Sequence, residues 1–345
     1  MGKSYTLGVL AEELGDAPGV APIIADPMGV FSGLREVGGT VLSPTIRPAA
    51  LPPAAWPDLL GLDPAGGPGS LLWRVVADAR DATPAEASGS SLSSSSPSRS
   101  PSFSSSNSPS RSHSLDDFRD RVTASDATRE TRRAARNHLD AAAAWGVFDA
   151  TAPPVARLPS RADGDPVVID LAGVPDAAAG AVLRAIASGL YDARVADRDP
   201  ADSNGDRLPW LLVDEAHAFF GGSADPALRT VLTRGRAPGI SLVCATQRPE
   251  ALPAVAVSQA DLLIAHRLTA ERDVDALAAA EATYLAGGLA ERLPTGIGEA
   301  LVVDDATEAA HRVRVRERRT THGGESPRAS DLVETEAETT NGTDN

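Results

Sequence analysis

Three short apolar runs each stop at an aspartate: Ile23-Ile24-Ala25-Asp26, Val167-Val168-Ile169-Asp170 and Leu211-Leu212-Val213-Asp214. Runs this short and this uniformly apolar read as strands buried on both faces, which requires helices on either side of the sheet. Helical sequence does separate them. Leu7, Leu10 and Leu14 recur at i, i+3 and i+7 within residues 4–14, and an alanine-rich helical stretch runs from Asp170 to about Tyr191. Ile240 to Gln247 reads as a further strand, and residues 261–268 as the next. Residues 300–305 and 311–318 close the core, the last alternating like an edge strand. The predicted class is therefore α/β, a parallel sheet covered by helices.

Composition divides the chain further. Residues 1–43 and 151–322 are expected to form the two parts of one core. Between them, 44–150 reads as a helical insertion, with apolar clusters around Trp56–Leu60 and Leu71–Val76. It is interrupted at 86–114 by a run of Ser with Pro and Arg, which cannot bury enough apolar surface to fold and is expected to be disordered. The polar, acidic stretch 323–345 carries the same expectation.

A formal charge of −15 is spread along the chain, and Lys3 is the only lysine among 32 basic residues. Dispersed acidity with arginine in place of lysine suggests a protein kept hydrated at high salt, from a GC-rich, haloarchaeal source. An ordinary acidic cytosolic protein is the plainer alternative. Net negative charge disfavours nucleic-acid partners on average, although a local basic patch overrides an average. One cysteine, Cys244, excludes internal disulfides and a cysteine-based zinc site. Six scattered histidines give no metal-ligand spacing. No apolar run approaches the roughly 18 residues that span a bilayer, and no signal-peptide core follows a basic start. A cytoplasmic protein without a membrane partner is expected.

Leu211-Leu212-Val213-Asp214-Glu215 is the strongest local signal for chemistry. It sets two carboxylates where a buried strand reaches the carboxyl edge of the sheet, and ligands of open α/β sheets gather at that edge. A hard divalent cation and a hydrolytic base both call for oxygen anions; a solvated acidic turn is the plainer reading. The strand of 240–245 likewise ends in polar groups at Thr246-Gln247, and a Gln beside an acidic strand end can orient water or sense a phosphate. Between the two strands, Thr233-Arg234-Gly235-Arg236-Ala237-Pro238-Gly239 places two guanidinium groups in a turn, where they suit the spread charge of a transferring phosphoryl group. An exposed basic loop is the alternative there.

Taken in order, LLVDEAHAFF, RGRAPGISLVCATQRPEALP, TGIGEALVVDD and RVRVRERRTTHGG resemble the HerA/FtsK-type ATPases, and HerA-like archaeal helicases in particular. The resemblance covers residues 1–35 and 165–322 and is weak across the insertion. It implies a RecA-like P-loop NTPase fold, ATP and Mg²⁺ as cofactors, double-stranded DNA as substrate, a homo-hexameric ring and a NurA-type nuclease partner in end processing. By the same resemblance Gly2, Lys3 and Ser4 bind phosphate, with Ser4 and Asp214 on Mg²⁺. Glu215 is the base, Gln247 the sensor, Arg234 or Arg236 the finger supplied to a neighbouring subunit, and Asp26 a further site member. Other readings of the same motifs are a non-hydrolysing regulatory homologue and a motor for DNA transfer or packaging.

The family's phosphate loop has the form G-x-x-x-x-G-K-[ST], and Gly2-Lys3-Ser4 supplies only its end. The expectation is a true reading frame that begins upstream, with a strand and a Gly-rich turn before Met1; as written, the chain is expected to bind ATP weakly. Met1 to Thr6 also satisfies a myristoylation pattern. That reading requires a free, flexible N-terminus, whereas 4–14 reads as a packed helix.

Overall fold

Period-two burial sets the layers. In the computed structural model the described residues are 2–81, 113–160, 163–196, 207–268, 272–273 and 292–323. Five strands, β1 (Val20–Asp26), β2 (Thr40–Leu42), β3 (Val167–Asp170), β4 (Leu208–Val213) and β5 (Ser241–Cys244), form a wholly parallel sheet in the order β2-β3-β1-β4-β5. Ile23 sits level with Val167 on one side and Leu211 on the other. Successive side chains leave a strand on opposite faces. Ile23, Ala25, Val167, Ile169, Leu211 and Val213 therefore enter one core, and Ile24, Val168 and Leu212 the other.

Helix α1 (Lys3–Asp16) covers the second face with Leu7, Ala11 and Leu14, joined by Phe31 and Leu34 from the loop after β1. The first face is covered by α6 (Asp176–Ala196) and α7 (Asp225–Arg234), and also by the insertion, whose helices are α2 (Ala55–Leu59), α3 (Gly67–Asp81), α4 (Leu115–Ala124) and α5 (Arg129–Ala143). Trp56, Phe118 and Leu139 are wholly buried and continuous with Ile23 and Leu211. The insertion thus shares the core of the sheet. Arg184 of α6 fastens it from within, bonded to the Asp58 carboxylate at 2.6 Å and to the Ser223 carbonyl at 3.0 Å. Of the serine-rich stretch 86–114, only the last residues fall within the described chain, where Ser114 closes a reciprocal cap with Asp117 at the start of α4. The tail beyond Gly323 lies outside the described residues.

Residues 261–268, expected to extend the parallel sheet, instead begin a second one. β6 (Leu262–Ala265), β7 (Glu299–Asp304) and β8 (Ala309–Arg314) form a three-stranded antiparallel sheet with its own small core of Ala265, Leu301 and Val303. The four-residue turn from β7 to β8 permits only antiparallel pairing, because a parallel return needs a long crossover. β8 is an edge strand, as expected from its sequence. Among the described residues β5 and β6 are each paired on one side only.

The chain beyond the second sheet is fastened to α1 chiefly through one buried carboxylate, with Arg316–Glu13 and Arg319–Asp16 pairs beside it. Glu12 is fully buried, and its oxygens accept from the Thr320 hydroxyl at 2.7 Å, from Thr320 and Arg319 backbone N–H at 3.1 Å, and from Arg316 Nη1 at 2.8 Å. Residues 316–323 therefore cross α1 as a strap. Arg318, itself buried, lies against Gly8, where a Cβ would come within 2.6 Å of its guanidinium carbon; a Cβ on Gly33 would run into the Thr321 carbonyl. Burial alone would raise the Glu12 pKa, but the Thr320 hydroxyl, the Arg319 N–H and Arg316 overcome that and bring it below its ordinary 4.5. Glu12→Ala is expected to cost about 3–5 kcal/mol, the range for removing one partner of a buried ion pair, read as a lowered urea midpoint at pH 7. Because the folded pKa is depressed, this contribution is complete above pH 4.5 and is lost as pH falls through the lower folded value. The gap between parent and variant should therefore shrink in acid; a gap that stays constant to pH 3 would contradict the clamp.

Candidate active site

The carboxyl ends of β1 and β4 and the first turn of α1 meet at one point. Parallel strands bring their ends to the same edge, so Asp26 and Asp214, both 1 % exposed, stand side by side. Burial, then repulsion from Glu215 and Asp26, raises the pKa of Asp214, against a lowering hydrogen bond from the Ser4 hydroxyl. Asp26 is likewise raised by burial, which outweighs the N–H groups it accepts from. The two nonetheless differ. Both oxygens of Asp26 are occupied, Oδ1 by the N–H groups of Met28 and Val30 at 3.3 and 3.1 Å and Oδ2 by that of Phe31 at 2.9 Å. Asp26 thus organises the loop after β1. Asp214 Oδ2 is buried with no hydrogen-bond partner among the described residues.

Glu215 follows in a left-handed backbone conformation, φ 46°, which turns the chain sharply as it leaves β4. Gln247 Nε2 donates to Glu215 Oε1 at 2.6 Å. Among the described residues Oε2 makes no hydrogen bond; His217 Nδ1 lies 3.3 Å away and is itself 3.2 Å from the Thr246 hydroxyl. The N–H of Ala216 bonds the Ala245 carbonyl, so the two strand ends that carry Glu215 and Gln247 are locked together.

Helix α1 starts at Lys3 behind Gly2 (φ 126°), with no side-chain cap and no acidic residue in its first turn. Its leading N–H groups are open, and an uncapped helix N-terminus with a lysine suits an anion. Asp214, with an unpaired Oδ2 and the Ser4 hydroxyl next to its carboxyl, fits a hard divalent cation, since a buried unpaired carboxylate oxygen is costly unless something positive takes it up. No cluster of three or more His, Cys, Asp or Glu suited to a metal occurs among the described residues. A cation here would rely on Ser4, Asp214 and the bound anion.

Of the residues expected from the sequence, Ser4, Asp26, Asp214, Glu215 and Gln247 come together, with Gly2 and Lys3 at the adjoining helix start. Arg234 and Arg236 do not join them. Both are exposed near the end of α7, and Arg236 pairs with Asp261. His217 is a neighbour of the site that the motifs do not single out; its place two residues after Glu215 in a tight turn is the signal that marks it.

No protein-family model and no curated protein matches the sequence. Among solved structures, VirB4 of Thermoanaerobacter pseudethanolicus is similar at a TM-score of 0.58 and 16 % identity, covering 91 % of this chain and 83 % of that one. Plasmid coupling protein TrwB, in complex with ADP and Mg²⁺, gives 0.54 and 14 %, covering 93 % and 85 %. The fold is RecA-like α/β. The genome packaging NTPase B204 from Sulfolobus turreted icosahedral virus 2 is 21 % identical over 48 % of this chain and 73 % of that one, at a TM-score of 0.35 that is too low to bear on the fold. No helix among the described residues is long and apolar enough to cross a membrane.

A carboxyl whose folded pKa is raised is favoured protonated in the fold, so its contribution to stability falls as pH rises above the unfolded value of 3.8. Asp214→Asn keeps an acceptor for Ser4 and removes the charge. It is expected to stabilise the chain at pH 7 by on the order of 1 kcal/mol, the scale of relieving a strained functional site, with the gain fading below pH 4. Thermal unfolding at the two pH values measures it; a lower Tm for the variant at pH 7 would remove the basis for a charge-penalised site.

Proposed function

We propose that this chain is an ATP-hydrolysing motor of HerA type that moves along double-stranded DNA. One observation carries the reading: the buried, unpaired Asp214 Oδ2 and the Gln247-held Glu215 stand at the same sheet edge as Ser4. In this reading the open N–H groups of α1 and the Lys3 ammonium hold the phosphates. Ser4 and Asp214 hold Mg²⁺, which neutralises charge on the phosphate oxygens when bound. Gln247 fixes Glu215 through Oε1, leaving Oε2 to accept the proton of the attacking water. Asp26 sets the loop beside them. Arg234 and Arg236, exposed and away from this cluster, reach the site of the next subunit in a homo-hexameric ring. The fold shared with TrwB, which was crystallised with ADP and Mg²⁺, supports the nucleotide.

Work at DNA ends with a NurA-type nuclease follows the sequence resemblance. The fold shared with VirB4 and with the bacterial conjugative coupling protein TrwB favours a second setting, DNA transfer. Duplex-bound phosphates make affinity fall with salt in either case.

Duplex-stimulated phosphate release tests the motor. Glu215→Gln should lower it by about 10²–10⁴-fold, the range for a positioned base, with affinity for a fluorescent ATP analogue retained. Mixing Glu215→Gln chains with an Arg234→Ala/Arg236→Ala variant should recover part of the activity if the arginines act across subunits. No phosphate release from the unmodified chain with DNA would leave the regulatory, non-hydrolysing reading in its place.

A further inference from the structure

His266 stands one residue past the end of β6, between the two sheets. Its Nδ1 is 3.0 Å from the Glu299 carbonyl, and its Nε2 is 2.9 Å from the Thr6 hydroxyl. A carbonyl can only accept, so Nδ1 carries the proton and Nε2 accepts from Thr6. Burial, with the charge of Lys3 as a lesser cause, holds the His266 pKa below its ordinary value and keeps the ring neutral. The imidazole also backs Gly2: a Cβ there would lie 3.3 Å from Nδ1. One ring thus touches the residue that enters α1 and the hydroxyl in its first turn.

Glu299 continues the path. Its carbonyl takes the His266 proton, while its carboxylate accepts the Gly296 N–H at 3.2 Å. That second bond shapes the turn Gly296-Ile297-Gly298, in which Gly298 has φ 78° and Ile297 is 98 % exposed. An isoleucine held in solvent between two glycines takes no part in the small core of Ala265, Leu301 and Val303.

We propose that His266 is a positioning residue that ties the first turn of α1 to the second sheet and carries the state of the nucleotide site to the Gly296-Ile297-Gly298 turn. The proposal rests on the reading of the α1 N-terminus as the phosphate end. A ligand shifts a structure only through interactions that differ between its two states. Here the differing interaction is the phosphate itself, which engages the leading N–H groups and Lys3 only when nucleotide is bound, in the same turn as the Thr6 hydroxyl that His266 holds. Drawing the first turn toward the phosphate moves the Thr6 hydroxyl against Nε2, and the ring passes that displacement to Glu299.

Hydrogen–deuterium exchange of residues 295–299 in the full chain, with and without saturating ATPγS and Mg²⁺, reads the outcome. The unmodified chain should show nucleotide-dependent exchange at the turn. Thr6→Val, which removes the donor at nearly constant volume, and His266→Ala should both lose that dependence. Saturation, followed separately by anisotropy of a fluorescent analogue, keeps weakened binding from imitating the loss. A nucleotide-dependent change that persists in a folded Thr6→Val chain would overturn the proposal, as would a turn that does not respond in an unmodified chain that binds ATPγS. Failure of the unmodified chain to bind any nucleotide would instead remove the site reading itself, and the link with it.

Discussion

Glu12 is where the two halves of the structure become one. The parallel sheet supports α1 from beneath through Leu7, Ala11 and Leu14, while the strap of 316–323 crosses it from outside. A carboxylate removed from water is tolerated only when its lone pairs are satisfied, and the strap supplies two backbone N–H groups, a hydroxyl and guanidinium groups to do so. Those donors come from positions about 300 residues away in the chain (|i−j| 307 and 308). Together with the His266–Thr6 contact and the ion pairs of Arg316 with Glu13 and Arg319 with Asp16, that paired carboxylate sets where the second sheet stands relative to the start of α1.

The neighbouring acids at the sheet edge divide one problem between them. Burial raises the pKa of both, Asp26 adds to the rise at Asp214, and the fold supplies hydrogen-bond donors to both oxygens of only one of them. Asp26 receives three N–H groups from its own following loop, and its charge becomes part of the scaffold. Asp214 has the Ser4 hydroxyl beside it and, among the described residues, no partner on Oδ2. Unrelieved charge is a cost to the folded chain, one that a cation at the same oxygen would offset.

Much of this was legible in the sequence, for a physical reason. A strand buried on both faces has little freedom in composition, so Ile23–Asp26, Val167–Asp170 and Leu211–Asp214 announced both the sheet and the edge where their carboxylates meet. The rest depends on contacts between distant segments. Glu12 beside Glu13 reads as the solvated face of a helix, because nothing near it in sequence reveals Thr320. Three-residue β2 is too short to show a period, and β6 looks like any core strand until its partner β7 is known. The insertion helices were readable from their apolar clusters. That Trp56 and Phe118 share a core with Ile23 was not, since amphipathic helices look alike whether they pack on each other or on a sheet.

Glu215 carries a further implication for how such a chain evolves. A non-glycine residue at φ 46° sits in a region that costs an L-residue roughly 1–2 kcal/mol, and glycine would occupy it without strain. Selection for folding alone would therefore erode this position, replacing the glutamate with the residue the backbone prefers. Keeping a carboxylate there sustains a continuous loss of stability, and the group so kept is the one whose Oε1 Gln247 holds; glycine at 215 would give up the strain and that contact together.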